Sequence, residues 1–192
     1  MRKSLLSLAL VSFALVLFLL PLTPDLRAAT LNGVTMPDTI QARGYPLVLN
    51  GMGLRTKYGF KIYVAGLYLP QKSSDPDAII KADAPKRIVM QFTHGVSKSQ
   101  MADAFNDSFN DNDPAAASAM KADVDRFLGQ LDTVHSGDQM VFTYIPGTGT
   151  IFLLNGGEKL TIPGPAFAQL LFSVWLGPKP PNPELKRGLL GQ

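Results

Sequence analysis

Residues 52–69 read Met52-Gly-Leu-Arg-Thr-Lys-Tyr-Gly-Phe-Lys-Ile-Tyr-Val-Ala-Gly-Leu-Tyr-Leu69. From Phe60 onward the even positions carry Phe60, Ile62, Val64, Gly66 and Tyr68, and the odd positions Lys61, Tyr63, Ala65, Leu67 and Leu69. A strand sends successive side chains to opposite faces, and here both sets are largely apolar. The segment therefore predicts a strand covered on both sides. Pro70 ends it, because proline brings no N–H to a ladder. Upstream, Gly51-Met52-Gly53 predicts a break, where the backbone turns sharply or approaches something closely.

Working outward, Ile40–Ala42 and Tyr45–Asn50 predict an opening hairpin bent at Arg43-Gly44. Asp75-Pro76 supplies a cap and a first-turn proline for a short helix, and Arg87–Thr93 predicts another strand. Ser97 or Ser99 caps a helix with Met101, Ala104, Phe105 and Phe109 on one side. Asp113-Pro114 opens a longer one, on which Met120, Val124, Phe127, Leu128 and Leu131 recur at helical spacing. Gln139–Ile145, Thr150–Leu154 and Lys159–Ile162 predict a meander, turned at Pro146–Gly149 and Asn155–Gly157. Pro165 starts a very apolar helix, Ala166–Leu176, stopped by Gly177, and Asn182-Pro183 caps a last one, Glu184–Leu190. The layout is α+β, an antiparallel sheet with helices packed on one face.

Of 192 residues, 46% are apolar and 17% charged, which suits one folded domain. The net charge of +3 rests on 18 basic against 15 acidic residues; setting aside residues 1–28 leaves 15 against 14, no footprint for nucleic acid. With no cysteine, disulfides, thiol chemistry and a lipidated cysteine are excluded. His94 and His135 are far apart, so no metal site and no cofactor is expected.

Arg2 and Lys3, the apolar run Leu5–Leu20 and the small residues Ala28-Ala29 have the order of a secretory signal peptide. We expect residues 1–28 to be that signal, cleaved or kept as an inner-membrane anchor, and residues 30–192 to be one domain outside the cytoplasm, in the periplasm or otherwise exported. Membrane contact is expected only through an uncleaved N-terminal segment. The apolar helix Ala166–Leu176 could alternatively serve a partner or a membrane, though Pro165 and Gly177 bound it too closely for a span.

No nucleophile elbow, phosphate loop or dinucleotide fingerprint is present. Asp103, Asp107, Asp111 and Asp113 lack the spacing of a calcium loop and read as a solvated helix face. Arg55 and Tyr63 leave two readings open. A guanidinium fork and a phenol could together hold a carboxylate. Alternatively, Arg55 is a surface cation beside Lys57, and Tyr63 a core ring with its hydroxyl at the rim.

Met52–Leu69 closely resembles the corresponding stretch of chalcone isomerase-like proteins, as do Trp175-Leu-Gly-Pro-Lys-Pro-Pro-Asn-Pro-Glu-Leu-Lys-Arg187 and Gly33-Val-Thr-Met-Pro-Asp38. The resemblance spans roughly residues 32–190. It implies an open-faced β-sandwich of chalcone isomerase type, with a ligand cleft between an antiparallel sheet and a helical layer. Some members cyclise a hydroxychalcone, and others bind fatty acids without turnover. In both, an Arg after the Gly-rich turn contacts the ligand's anionic oxygen, and Arg55 matches it. Tyr63 stands where the isomerases carry Thr and fatty-acid-binding members carry Tyr, while Val174 falls on a second isomerase Thr. Valine cannot donate the hydrogen bond that cyclisation requires. The resemblance thus implies a binding protein for a fatty acid or similar small amphiphilic carboxylate, held by Arg55 and Tyr63, without catalysis. The alternative is an intramolecular lyase acting on an enone.

Overall fold

A computed structural model describes residues 27–192. The expected signal segment lies, up to residue 26, outside the described residues. The first strands, β1 (Ala28–Leu31) and β2 (Val34–Pro37), form a separate two-stranded ribbon turned at Asn32-Gly33, both at positive φ. Sequence reasoning placed the opening hairpin later and missed this one, although Asn-Gly is its standard signal.

β3 (Thr39–Ala42), β4 (Tyr45–Lys57), β5 (Phe60–Leu69), β6 (Lys86–Phe92), β7 (Gln139–Ile145), β8 (Gly149–Leu154) and β9 (Gly157–Ile162) then form one antiparallel sheet in sequence order. Laid flat, its edge strands would stand roughly 29 Å apart at the usual strand spacing. Yet Arg43, in the β3–β4 turn at one edge, donates to Glu158 on β9 at the other across 2.5 Å. The sheet is therefore strongly curled.

The helices are α1 (Pro76–Lys81), α2 (Lys98–Asn112), α3 (Pro114–Ala119), α4 (Lys121–Gly129), α5 (Pro165–Leu176) and α6 (Pro183–Leu189). The main core lies between them and one sheet face, where Phe105, Phe109, Phe127, Phe142, Phe152, Phe167 and Trp175 meet at centroid separations of 5.0–6.3 Å. Most of these pairs are edge-to-face, each adding about 0.5–1.5 kcal/mol beyond area burial. The other sheet face has its own buried cluster, in which Met36 of β2 packs with Leu47, Leu49, Val64 and Tyr68. That accounts for the apolar residues on both sides of β5.

Three expectations are corrected. Gly51–Gly53 is no break: β4 runs through it with a register shift between Leu49 and Gly51. The glycines serve close approach, since a methyl on Gly53 would lie 2.3 Å from the Leu185 carbonyl oxygen of α6. The helix opened by Pro114 is two helices, broken at Met120, whose φ of −106° and ψ of 25° leave the helical region. Asn182 precedes α6 without capping it; its side chain is engaged with β4 instead. The apolar helix α5 is buried from Leu170 to Leu176, which leaves no face for a partner or a membrane. Among the described residues no helix is long and apolar enough to cross a bilayer.

Candidate functional site

The cleft lies between one end of the sheet and α2. It has a volume of about 440 Å³, within the range of small-molecule sites. Its sheet wall comes from β4, β5 and β6. Its helical wall comes from α2 and the C-terminal end of α5, and Pro181 of the following segment closes one side. α2 is held in place at its start by a reciprocal capping box between Ser97 and Gln100.

Arg55 and Tyr63 are directly opposite each other on β4 and β5, and both line this cleft. Antiparallel partners share a sheet face, so pairing alone brings together the two residues that sequence analysis considered as one candidate site. Around Tyr63 the lining is apolar: Met90, Phe92, Met101, Phe105 and Val174. Lys57, Tyr58, Phe60, His94 and Asp107, all exposed, form the mouth.

The tyrosine is the deeper of the pair, 8% exposed, and its oxygen accepts from Trp175 Nε1 at 3.1 Å. Burial pushes its pKa up to about 12, against the lowering effects of that hydrogen bond and the Arg55 charge. At neutral pH the hydroxyl is therefore protonated. Its own proton has no protein acceptor among the described residues, so it remains a donor facing the cleft.

Arg55 is half-buried. Its Nη1 donates to the carbonyls of Thr56 and Pro181, each at 2.7 Å, and to Asn182 Oδ1 at 3.4 Å. Asn182 in turn donates to the Leu54 carbonyl at 3.3 Å. The guanidinium thus ties the proline-rich segment to β4 through one nitrogen, while Nε and Nη2 make no bond within the described residues. It is not simply a free surface cation: one side of the fork is structural, and the other has no partner among the described residues, on a residue that lines the cleft.

Sequence reasoning missed Trp175 and the Pro181–Asn182 tether. Both lie in the C-terminal motif already quoted, but no local pattern joins residue 175 to residue 63. The chemistry available is a positive charge, one neutral donor (the phenol O–H, its oxygen held by the indole N–H) and an apolar wall. That set suits an anionic oxygen attached to an apolar body.

The family model described as chalcone isomerase-like matches residues 28–191. Among solved structures, the Arabidopsis thaliana fatty-acid binding protein AtFAP1 superimposes with a TM-score of 0.67 at 13% identity, covering 85% of this chain and 96% of that one. At that identity the likeness concerns the fold. No curated protein sequence matches the chain.

Proposed function

Given that the chain belongs to the chalcone isomerase-like family, we propose that it binds a fatty acid or similar small amphiphilic carboxylate in this cleft, without catalysis, and that it does so outside the cytoplasm. One observation carries the ligand reading: Arg55 and Tyr63, paired across β4 and β5, offer unmatched donors at one side of a cavity whose inner wall is apolar. Val174 on the wall offers no hydrogen bond, which ranks binding above cyclisation. Export is inferred from the tripartite order of residues 1–28.

Calorimetric titration with a long-chain fatty acid and its methyl ester tests the site. A charge-assisted pair with Arg55 is worth about 2–3 kcal/mol, so Arg55→Ala should weaken acid binding by roughly thirty- to a hundred-fold. Arg55→Lys should restore only part, since an ammonium cannot form the fork. Tyr63→Phe should cost about 1 kcal/mol, one neutral donor. The ester should bind wild type weakly and ignore Arg55. Because Arg55 also tethers residues 181–182, Asn182→Ala serves as the structural control: it loosens the tether and should leave acid affinity within about three-fold of wild type. Equal affinity for acid and ester would refute the carboxylate reading, as would an Arg55→Ala effect that Asn182→Ala reproduces in full.

A further inference from the structure

The β4–β5 hairpin ends in Arg55-Thr56-Lys57-Tyr58-Gly59-Phe60-Lys61. Tyr58 is 89% exposed and Phe60 58%, the two most exposed large apolar side chains among the described residues. Both stand at the mouth of the cleft. Tyr58 also occupies a backbone position that disfavours it, with φ at 52°. Comparable turns of this chain place Asn32 and Asn155 there, and asparagine tolerates the left-handed region. Arg43, the remaining case, gains its contact with Glu158. Tyr58 gains only Lys57, whose Nζ lies 5.6 Å from its ring centroid. What this side chain does best lies outside the chain.

Charge says what meets it. No Asp or Glu occurs between Asp38 and Asp75, while Arg55, Lys57 and Lys61 cluster at the tip. Lys61 donates to Asn32 Oδ1 at 2.6 Å, and its charge is not neutralised by that neutral acceptor. The nearest acid at the mouth, Asp107, belongs to α2 on the opposite lip. Two aromatic rings are far too little apolar area for a stable protein interface, which buries about 1,200 Å² or more. They are, with flanking cations, what anchors a chain at the headgroup level of an anionic bilayer.

We propose that the β4–β5 tip docks on an anionic lipid surface, with Tyr58 and Phe60 at the headgroup boundary and Lys57 and Lys61 on the phosphates. The cleft mouth then faces the bilayer from which an amphiphile would enter; that purpose, though not the docking itself, rests on the carboxylate reading above. It adds a membrane contact to the one expected of the N-terminal segment.

Tyr58→Trp turns the tip into a local reporter, and the natural Trp175 is fully buried. The full chain carrying this change is titrated with vesicles of phosphatidylglycerol and phosphatidylcholine, with phosphatidylcholine alone, and with brominated versions of each. The expected result is a blue shift of the new indole and quenching by brominated lipid on anionic vesicles only. Adding Lys57→Glu and Lys61→Glu should lower the response roughly twenty-fold or more in apparent affinity. A local reporter reads insertion of the tip itself rather than any anchoring by residues 1–28, and the charge-reversed background, which keeps those residues, separates the two. An unchanged spectrum across the anionic titration overturns the proposal, and so does an equal response on neutral vesicles or in the charge-reversed background. No fatty acid is present, so docking and carboxylate binding can fail separately.

Discussion

Lys86, at 2% exposure, donates from Nζ to the carbonyls of Ile79, Ile80 and Ala82 at 2.8–2.9 Å and lies 5.4 Å from the ring centroids of Tyr144 and Phe172. Those carbonyls are the open C-terminal end of α1, so a side chain four to seven positions further along the chain does what a helix cannot do for itself. Burial lowers the lysine pKa to about 8, with Asp83 acting in the opposite direction. Between pH 8 and 10.5 the unfolded chain then holds more of this proton than the folded one, and stability rises with pH. Tyr63, Tyr68 and Tyr144 act oppositely. Burial, chiefly, raises each from 10.0 to about 12, so their contribution is complete below pH 10 and is lost as pH climbs through 12. Thermal melts should show Tm rising from pH 8 towards 10 and falling beyond it. Lys86→Met should flatten the rising limb, and a wild-type profile level across both windows would contradict these assignments. At this scale Arg55 and Tyr63 could be picked out from residue type and place in the chain. Trp175, the partner of Tyr63, could not, because nothing local marks an indole as facing a phenol 112 positions away.

Elements were legible where punctuation was strong. Pro70, Asp75-Pro76, Ser97 and Gly177 bound their segments as expected, since capping and proline geometry act within a few residues. The break at Met120 was not legible: no residue there opposes helix formation, and it separates a helix that buries Ala117 from one that buries Val124 and Phe127. The β4–α6 contact is a demanding element pair. Methyls on Gly51, Gly53 and Gly188 would come within 2.1–2.3 Å of a facing carbonyl oxygen. Gly53→Ala should therefore destabilise by about 1–3 kcal/mol, lowering Tm by several degrees. Gly129→Ala, where a methyl meets nothing within 4 Å at the end of α4, is the control and should melt at or slightly above wild type. If the two variants melt together, α6 does not press on β4 as described.

For the whole molecule, the curl that brings Arg43 to Glu158 makes a seven-stranded sheet cover two apolar clusters at once. The pair itself is exposed and marks the curl without driving it, since such contacts are worth about 0–1 kcal/mol. Export belongs to this scale too. Fractionation of cells expressing a C-terminally tagged chain should place it outside the cytoplasm, with a mass lacking about the first 28 residues. Cleavage after Ala28 would trim β1 by one residue and leave its pairing from Ala29 with Met36 intact. Full-length chain in the soluble cytoplasm would defeat the proposal.

The sequence by itself determined most of the strands and helices of the main sheet and its helical layer and which of their faces are apolar, and it marked Arg55 and Tyr63 as candidates. Periodicity, capping and turn chemistry act over a few residues and are written locally. Only the tertiary structure decided that Gly51–Gly53 is a contact surface for α6, that the Arg55 fork is divided between a tether and a cleft, and that Tyr58 and Phe60 flank the cleft mouth. Each of those depends on segments distant in sequence closing on one another. Where such segments meet is set by sheet curl and helix packing, which no window of residues contains.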